Sequence, residues 1–316
     1  AELALSIGAG RLRVRLSDEP GVHIEVRHDP TAGNAWTQGI SGLMSWVSQQ
    51  FGRNRFGQGG FGSGFGAGSF GQGGSEPGAF GLGNVDWSSL GQGWQDDVPA
   101  GAVRQAKVEQ SGRRIVVRTS QAPPLKLVPL AVTVQAPSGS QLDLRSGTAE
   151  VTVTGRAGQV QLDCGTGDVT VDHADGRVDV HTGSGAVRLG PMLAGLKARS
   201  GSGDIEVSSV GDTASVVTAS GDVWLGAVQA DVTVRTGAGD LTVADASRGQ
   251  LALVTGSGKI TVGVHAGITA AVELVSHSGS ARSELPISDQ PPEEPEQLRI
   301  RGRTGSGTVV VRAAAC

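Results

Sequence analysis

The chain contains no tyrosine, and aromatic residues occupy only 3% of its 316 positions. A core without large rings must be filled by Val, Leu, Ile and Ala, side chains that stack well in thin repeated layers. The two cysteines, Cys164 and the last residue Cys316, are too few for a disulfide framework. No run approaches the roughly 18 consecutive apolar residues of a membrane-spanning helix, so no membrane span is expected. A net charge of −4 supplies no global basic field, which argues against a nucleic-acid partner. The first residues, Ala1 to Ser6, have neither a basic region nor an apolar one of the kind that opens a secretory signal. That slightly favours a soluble cytoplasmic protein and leaves the cell surface open.

Glycine, by contrast, is abundant, with 51 copies, and over the second half of the chain it is ordered. The position before each Gly corner holds Ser146, Cys164, Thr182, Ser200, Thr218 and Thr236 at a spacing of 18, then Thr255, Ser276 and Thr304. Three positions on is a small column running from Ala149 through Gly167, Gly185 and Gly203 to Gly307. Two further is an aliphatic one, from Val151 and Val169 to Val309. A fixed period near 20 residues is the signature of a solenoid. Each 18-residue rung reads as two short strands, such as Val169-Thr170-Val171 and Val178-Asp179-Val180, with the valines inward and Thr170 and Asp179 outward. The Ser/Thr hydroxyls are placed to bond along their ladder or to the turn backbone, and Cys164 puts a thiol where its neighbours have a hydroxyl.

The predicted organisation has three parts. Residues 1–28 form first solenoid strands. Residues 29–100 are an insert of different chemistry. Residues 101–316 form the regular solenoid, broken by an acidic, Pro-rich excursion at 284–297, after which Leu298–Arg301 and Val309–Arg312 close the stack. In the insert, Trp36, Ile40, Leu43, Met44 and Val47 share one face of an amphipathic helix over 34–51, with Asn34 as N-cap, and the stripe is expected to cap an open solenoid end. Residues 52–84 are low-complexity, and each Phe precedes Gly: Phe51, Phe56, Phe61, Phe65, Phe70 and Phe80. Glycine there has a high ordering entropy and no side chain to offset it, so this segment is expected to be disordered, either with the rings as spaced adhesive groups for weak self-association or condensation, or as a tolerated flexible loop. Deleting 52–83 should leave the circular-dichroism strand signal unchanged and abolish condensation; loss of strand signal would show that the two parts depend on each other.

Corner motifs such as Thr236-Gly237-Ala238-Gly239-Asp240-Leu241-Thr242-Val243 resemble those of the DUF4097 family of β-strand-repeat proteins, which bears an adhesin label. The likeness covers about residues 3–28 and 103–312. It implies an all-β fold, a single-stranded β-helix, and it brings no catalytic residues. The Phe-Gly insert departs from the family pattern. Bactofilins, short-rung β-helices that polymerise end to end, offer a weaker analogy.

Glu150, Asp168, Asp204, Asp222 and Asp240 align after the corner; the 18-residue period and the breaks at Ala186 and Lys259 do not suit a calcium nonapeptide repeat, and each Asp is expected to cap its own turn. Gly256-Ser257-Gly258-Lys259 fails the spacing of a phosphate loop and precedes a strand. Ser184 and Ser202 lack the nucleophile-elbow context. His173 and His181 fall on different parts of a rung, with no further ligands at metal spacing. Trp224 stands in an outward column with Thr152, Thr170, Arg188, Glu206, Thr242 and Thr261, which makes it a candidate contact residue. No cofactor is expected. The leading reading is a non-catalytic structural or adhesin-like solenoid that self-associates through its ends and its Phe-Gly arm. The alternatives are a monomeric platform for a protein or glycan, with a regulatory role open to it, and, last, a polysaccharide-active enzyme.

Overall fold

A computed structural model describes residues 1–29, 100–120, 125–286 and 297–314. The amphipathic stretch 34–51 and the Phe-Gly segment lie outside the described residues, as does most of the acidic excursion. The strands are β1 (Glu2–Ser17), β2 (His23–His28), β3 (Lys107–Ser111), β4 (Arg114–Arg118), β5 (Pro129–Pro137), β6 (Gln141–Ala157), β7 (Val160–Thr166), β8 (Val169–Ala174), β9 (Val178–Ser184) and β10 (Val187–Met192). They continue with β11 (Leu196–Ser202), β12 (Ile205–Val210), β13 (Ala214–Ser220), β14 (Val223–Val228), β15 (Val232–Ala238), β16 (Leu241–Ala246), β17 (Gly249–Ser257), β18 (Ile260–Val264), β19 (Ala270–Ser283) and β20 (Leu298–Ala313).

From β7 to β18 each rung is an odd strand followed by an even one, and each strand from β7 to β16 pairs in parallel with the strand two places on. The structure is the single-stranded β-solenoid that the repeat predicted. Alternation explains the core: Val169, Val171, Val178 and Val180 are fully buried, while Thr170 and Asp179 stay partly exposed. Each such valine or leucine contributes at most about 1.5–3 kcal/mol by burial. Valine also suits the extended backbone, because its branched Cβ packs on the pleat.

The corner between odd and even strands depends on close approach. Gly203 has φ +128°, a backbone conformation that side chains rarely adopt, and a Cβ there would collide with the Gly185 carbonyl of the preceding rung. Gly201 is not in that region, yet its Cβ would sit 2.6 Å from the Gly183 carbonyl oxygen. Gly203 thus both turns the chain and lets the rungs stack, and Gly201 serves the stacking alone. Next to them, Thr182, Thr218, Thr236, Thr255 and Thr304 are buried and donate to the carbonyl two residues on, at 3.3, 3.0, 3.1, 3.0 and 3.2 Å. Those bonds satisfy hydroxyls that would otherwise be costly to bury. Cys164 is buried in the same column, and burial pushes its thiol pKa up.

The ends of the stack are not in chain order. β1 pairs with β6 on one side and with β4 and β5 on the other, so the first strand is the second rung. Beyond it, β2 and β3 pair antiparallel to β5 and β4. At the other end β20 pairs with β17 and β18 on one side and with β19 on its other side. The expectation that Leu298–Arg301 and Val309–Arg312 close the stack is therefore corrected: β19 is terminal and β20 lies one rung in. Burial accounts for it. The inward residues of β20, Leu298, Ile300, Val309 and Val311, are 0% exposed, as an interior rung requires. Those of β19 are Val272 and Leu274, half-buried, then Ala281 and Ser283, exposed, which tolerate facing water.

Candidate functional site

Among the described residues, two kinds of surface stand out: the outward ladders of the two faces and the terminal strand β19. On the even-numbered face, Trp224 in β14 lies in register between Glu206 and Thr242 and is 40% exposed. A Cβ at Gly226 would meet its ring at 3.1 Å, so the indole lies down over the neighbouring glycine and does not project freely. The structure places it outward, as the alternation required. The candidate residues Phe51, Phe56, Phe61, Phe65, Phe70 and Phe80 of the arm, and Trp36, Ile40, Leu43, Met44 and Val47 of the cap, lie outside the described residues.

The acidic column works differently from its sequence reading. The Ala186, Asp222, Asp240 and Lys259 backbone N–H groups donate to Asp168, Asp204, Asp222 and Asp240 of the preceding rung, at 3.0, 2.9, 2.7 and 2.7 Å. Each carboxylate therefore caps the next rung and not its own turn. The cause is the corner glycine. The amides flanking Ala186, at Gly185 and Val187, donate forward to Ser202 and Asp204 carbonyls, while that of Ala186 faces back, where the Asp168 carboxylate receives it. Glu150, the first of the column, is held instead by Arg11 at 2.9 Å. The Lys259 corner is one more copy of this arrangement, at the end of β17. Among the described residues no group of three or more His, Cys, Asp or Glu is placed to hold a metal. His173 and His181 lie on β8 and β9; His173 pairs with Asp175 at 2.9 Å, and together with Arg156 it holds that carboxyl below its usual range.

The terminal strand β19 runs for 14 residues, and among the described residues it pairs on one side only. Its segment from Ala270 to Ser276 carries one charge, Glu273. That carboxylate bonds Arg303 at 3.0 Å and Arg301 at 3.3 Å, both on β20, and Arg303 foremost draws its pKa below the ordinary carboxylate value. The pair helps hold the last rung. Since the carboxyl titrates lower when folded than when unfolded, its contribution is complete above the unfolded value and is lost as pH falls through the depressed one. Acidification through that window should raise hydrogen exchange in β19 beyond the intrinsic pH effect, and Glu273→Gln should remove the difference. An unchanged pH response in the Gln variant would exclude this role.

Sequence reading missed one ladder, the outward residue just before each Ser/Thr. Its register on the odd-numbered face runs His181, Arg199, Val217, Arg235, Val254, Arg303, Val275. Column alignment could have found the first part; the last two members take this order only because β20 lies inside β19.

The parallel stack, its corner glycines and its two-strand rungs define a β-solenoid repeat protein. The Toastrack DUF4097 family model matches residues 129–315, more than half of the chain, and the protein belongs to that family. A solved structure from Clostridium sporogenes, titled a "putative cell adhesion protein", is 8% identical and is covered over 92% of its length, with 99% of this chain aligned; at a TM-score of 0.18 the likeness carries no argument. No curated protein matches the chain. Among the described residues no helix is long and apolar enough to cross a membrane.

Proposed function

We propose that this is a non-catalytic structural repeat protein that associates with a second copy of itself through the β19 end of its stack. The observation that carries the reading is the difference between the two ends. At the β1 end the outermost strands are antiparallel and charged: β2 holds His23, Glu25, Arg27 and His28, and β3 holds Lys107 and Glu109. Charges on an edge oppose pairing with another chain. The β19 edge has a near-uncharged stretch, with Val272 and Leu274 half-buried and Val275 40% exposed. An edge that meets its own copy does so about a two-fold axis, with the strands antiparallel. Such an assembly closes at two copies, because the far ends are blunted. The Phe-Gly segment supplies a second, weaker attraction, independent of the edge.

Support for a non-catalytic role comes from what the outward groups do. One outward ladder of the even face is rich in threonine, with Thr152, Thr170, Thr242 and Thr261, and the carboxylates Asp168, Asp204, Asp222 and Asp240 are engaged by backbone amides. The test is sedimentation velocity at micromolar concentration, on the full chain and on the 52–83 deletion. Both should sediment as a dimer. A monomer in both would favour the other reading, a platform that uses Trp224 or a flat face to bind a different molecule.

A further inference from the structure

We propose that the odd-numbered face binds a linear acidic polysaccharide laid along the stack axis, with successive carboxylates on Arg199 and Arg235, two rungs apart. From Arg199 to Val275 the outward ladder alternates strictly: Arg199, Val217, Arg235, Val254, Arg303, Val275. In chain order Val254 is followed by Val275 and only then by Arg303; the exchange of β19 and β20 in space restores the alternation. Parallel strands lie about 4.8 Å apart, so arginine recurs about every 9.6 Å. That is of the order of the length of a disaccharide. The intervening valines are 39%, 38% and 40% exposed.

Between β9, which carries Asp179, and β19, which carries Glu273, the charge of this face differs from that of the chain. Strands β11, β13, β15 and β17 and the first half of β20 carry Lys197, Arg199, Arg235, Arg299, Arg301 and Arg303 and no Asp or Glu, in a protein of net charge −4. Lys197 is paired with Asp179, and Arg301 and Arg303 with Glu273. Arg199 and Arg235 are exposed and have no ion pair among the described residues. The acids at the two corners are occupied: Asp204, Asp222 and Asp240 accept backbone N–H groups of the next rung, and Asp212 and Asp231 accept those of Thr213 and Gln250.

Each element of the ladder suits one part of such a chain. The guanidinium fork meets a carboxylate with two parallel hydrogen bonds. An exposed valine offers apolar surface to the C–H face of the sugar ring between two charges. The parallel ladder beside it, Ser215 and Thr233, supplies hydroxyls for sugar hydroxyls. A single-stranded nucleic acid fits less well. Strands β11, β13, β15 and β17 hold no aromatic side chain on which bases would stack.

The experiment measures binding of the full-length protein to a hyaluronan decasaccharide, which carries one carboxylate per disaccharide. A neutral chito-oligosaccharide and a single-stranded DNA oligomer serve as comparison ligands. The hyaluronan fragment should bind, and Arg199→Ala with Arg235→Ala should weaken it about a hundredfold, since charge-assisted contacts are the strong ones. Arg188→Ala, on the opposite face, should leave binding unchanged. The decisive variant moves one charge by a single rung, Val217→Arg with Arg235→Val, preserving net charge and losing the spacing; it should weaken binding at least tenfold with an unaltered circular-dichroism spectrum. Equal binding by that variant would reduce the effect to bulk charge and overturn the proposal. So would no binding of hyaluronan, equal binding of the neutral sugar, or tighter binding of DNA. Arg199 and Arg235 lie at least three rungs from β19, so loss of the dimer and loss of glycan binding are separable results.

Discussion

Replacing Gly203 with alanine is expected to destabilise the solenoid by about 3 kcal/mol or more. Two penalties combine. At φ +128° a Cβ strains the backbone, and that strain alone is of order 1–3 kcal/mol. The same Cβ would also collide with the Gly185 carbonyl, which belongs to backbone fixed in the rung below. Relief requires the two rungs to part, which weakens the parallel ladder on both sides of the corner. In a stack where each rung touches only its neighbours, the loss is expected to divide the cooperative unit as well as to lower the melting temperature. Gly139→Ala is the control, because Gly139 has φ +73° with nothing within 4 Å of its added Cβ. Thermal unfolding followed by circular dichroism should show a drop for Gly203→Ala several times that for Gly139→Ala. Equal drops would mean that stacking distance is not what glycine serves at this corner.

Ala271→Lys together with Val275→Lys is expected to convert the dimer fully to monomer. Both residues lie on β19, in register with Arg299 and Arg303 of β20, and neither is a core residue. In a two-fold pairing each added lysine appears twice, so four new positive charges crowd one short interface. Like charges across paired strands oppose association, and lysine is the residue by which natural edges avoid it. Analytical ultracentrifugation should show a single monomeric species, with the strand signal unchanged. Persistence of the dimer would move the contact away from β19, and a dimer lost only with the 52–83 deletion would assign it to the Phe-Gly segment.

The repeating part of this fold was legible in the chain. The 18-residue period, the inward valines of β8 and β9, the buried Thr column and the turning glycines are set by local rules: alternation in a strand, and a corner too tight for a side chain. Each rung states them again, so they can be read without knowing which rung lies next to which. What only the tertiary structure decided is adjacency. The Asp168 to Asp240 carboxylates cap the following rung because the corner amide faces backward, a direction no linear pattern records. The order at the ends follows from burial. Leu298, Ile300, Val309 and Val311 need covering on both sides, and Ala281 and Ser283 do not, so β20 takes the interior place ahead of β19. That choice also aligns Arg303 between Val254 and Val275 and leaves β19 as the edge. The β19 edge and the last two members of the arginine–valine ladder thus arise from a packing decision between the last two strands, made by the free energy of covering apolar surface rather than by any local preference, while Arg199, Val217 and Arg235 follow from the repeat itself.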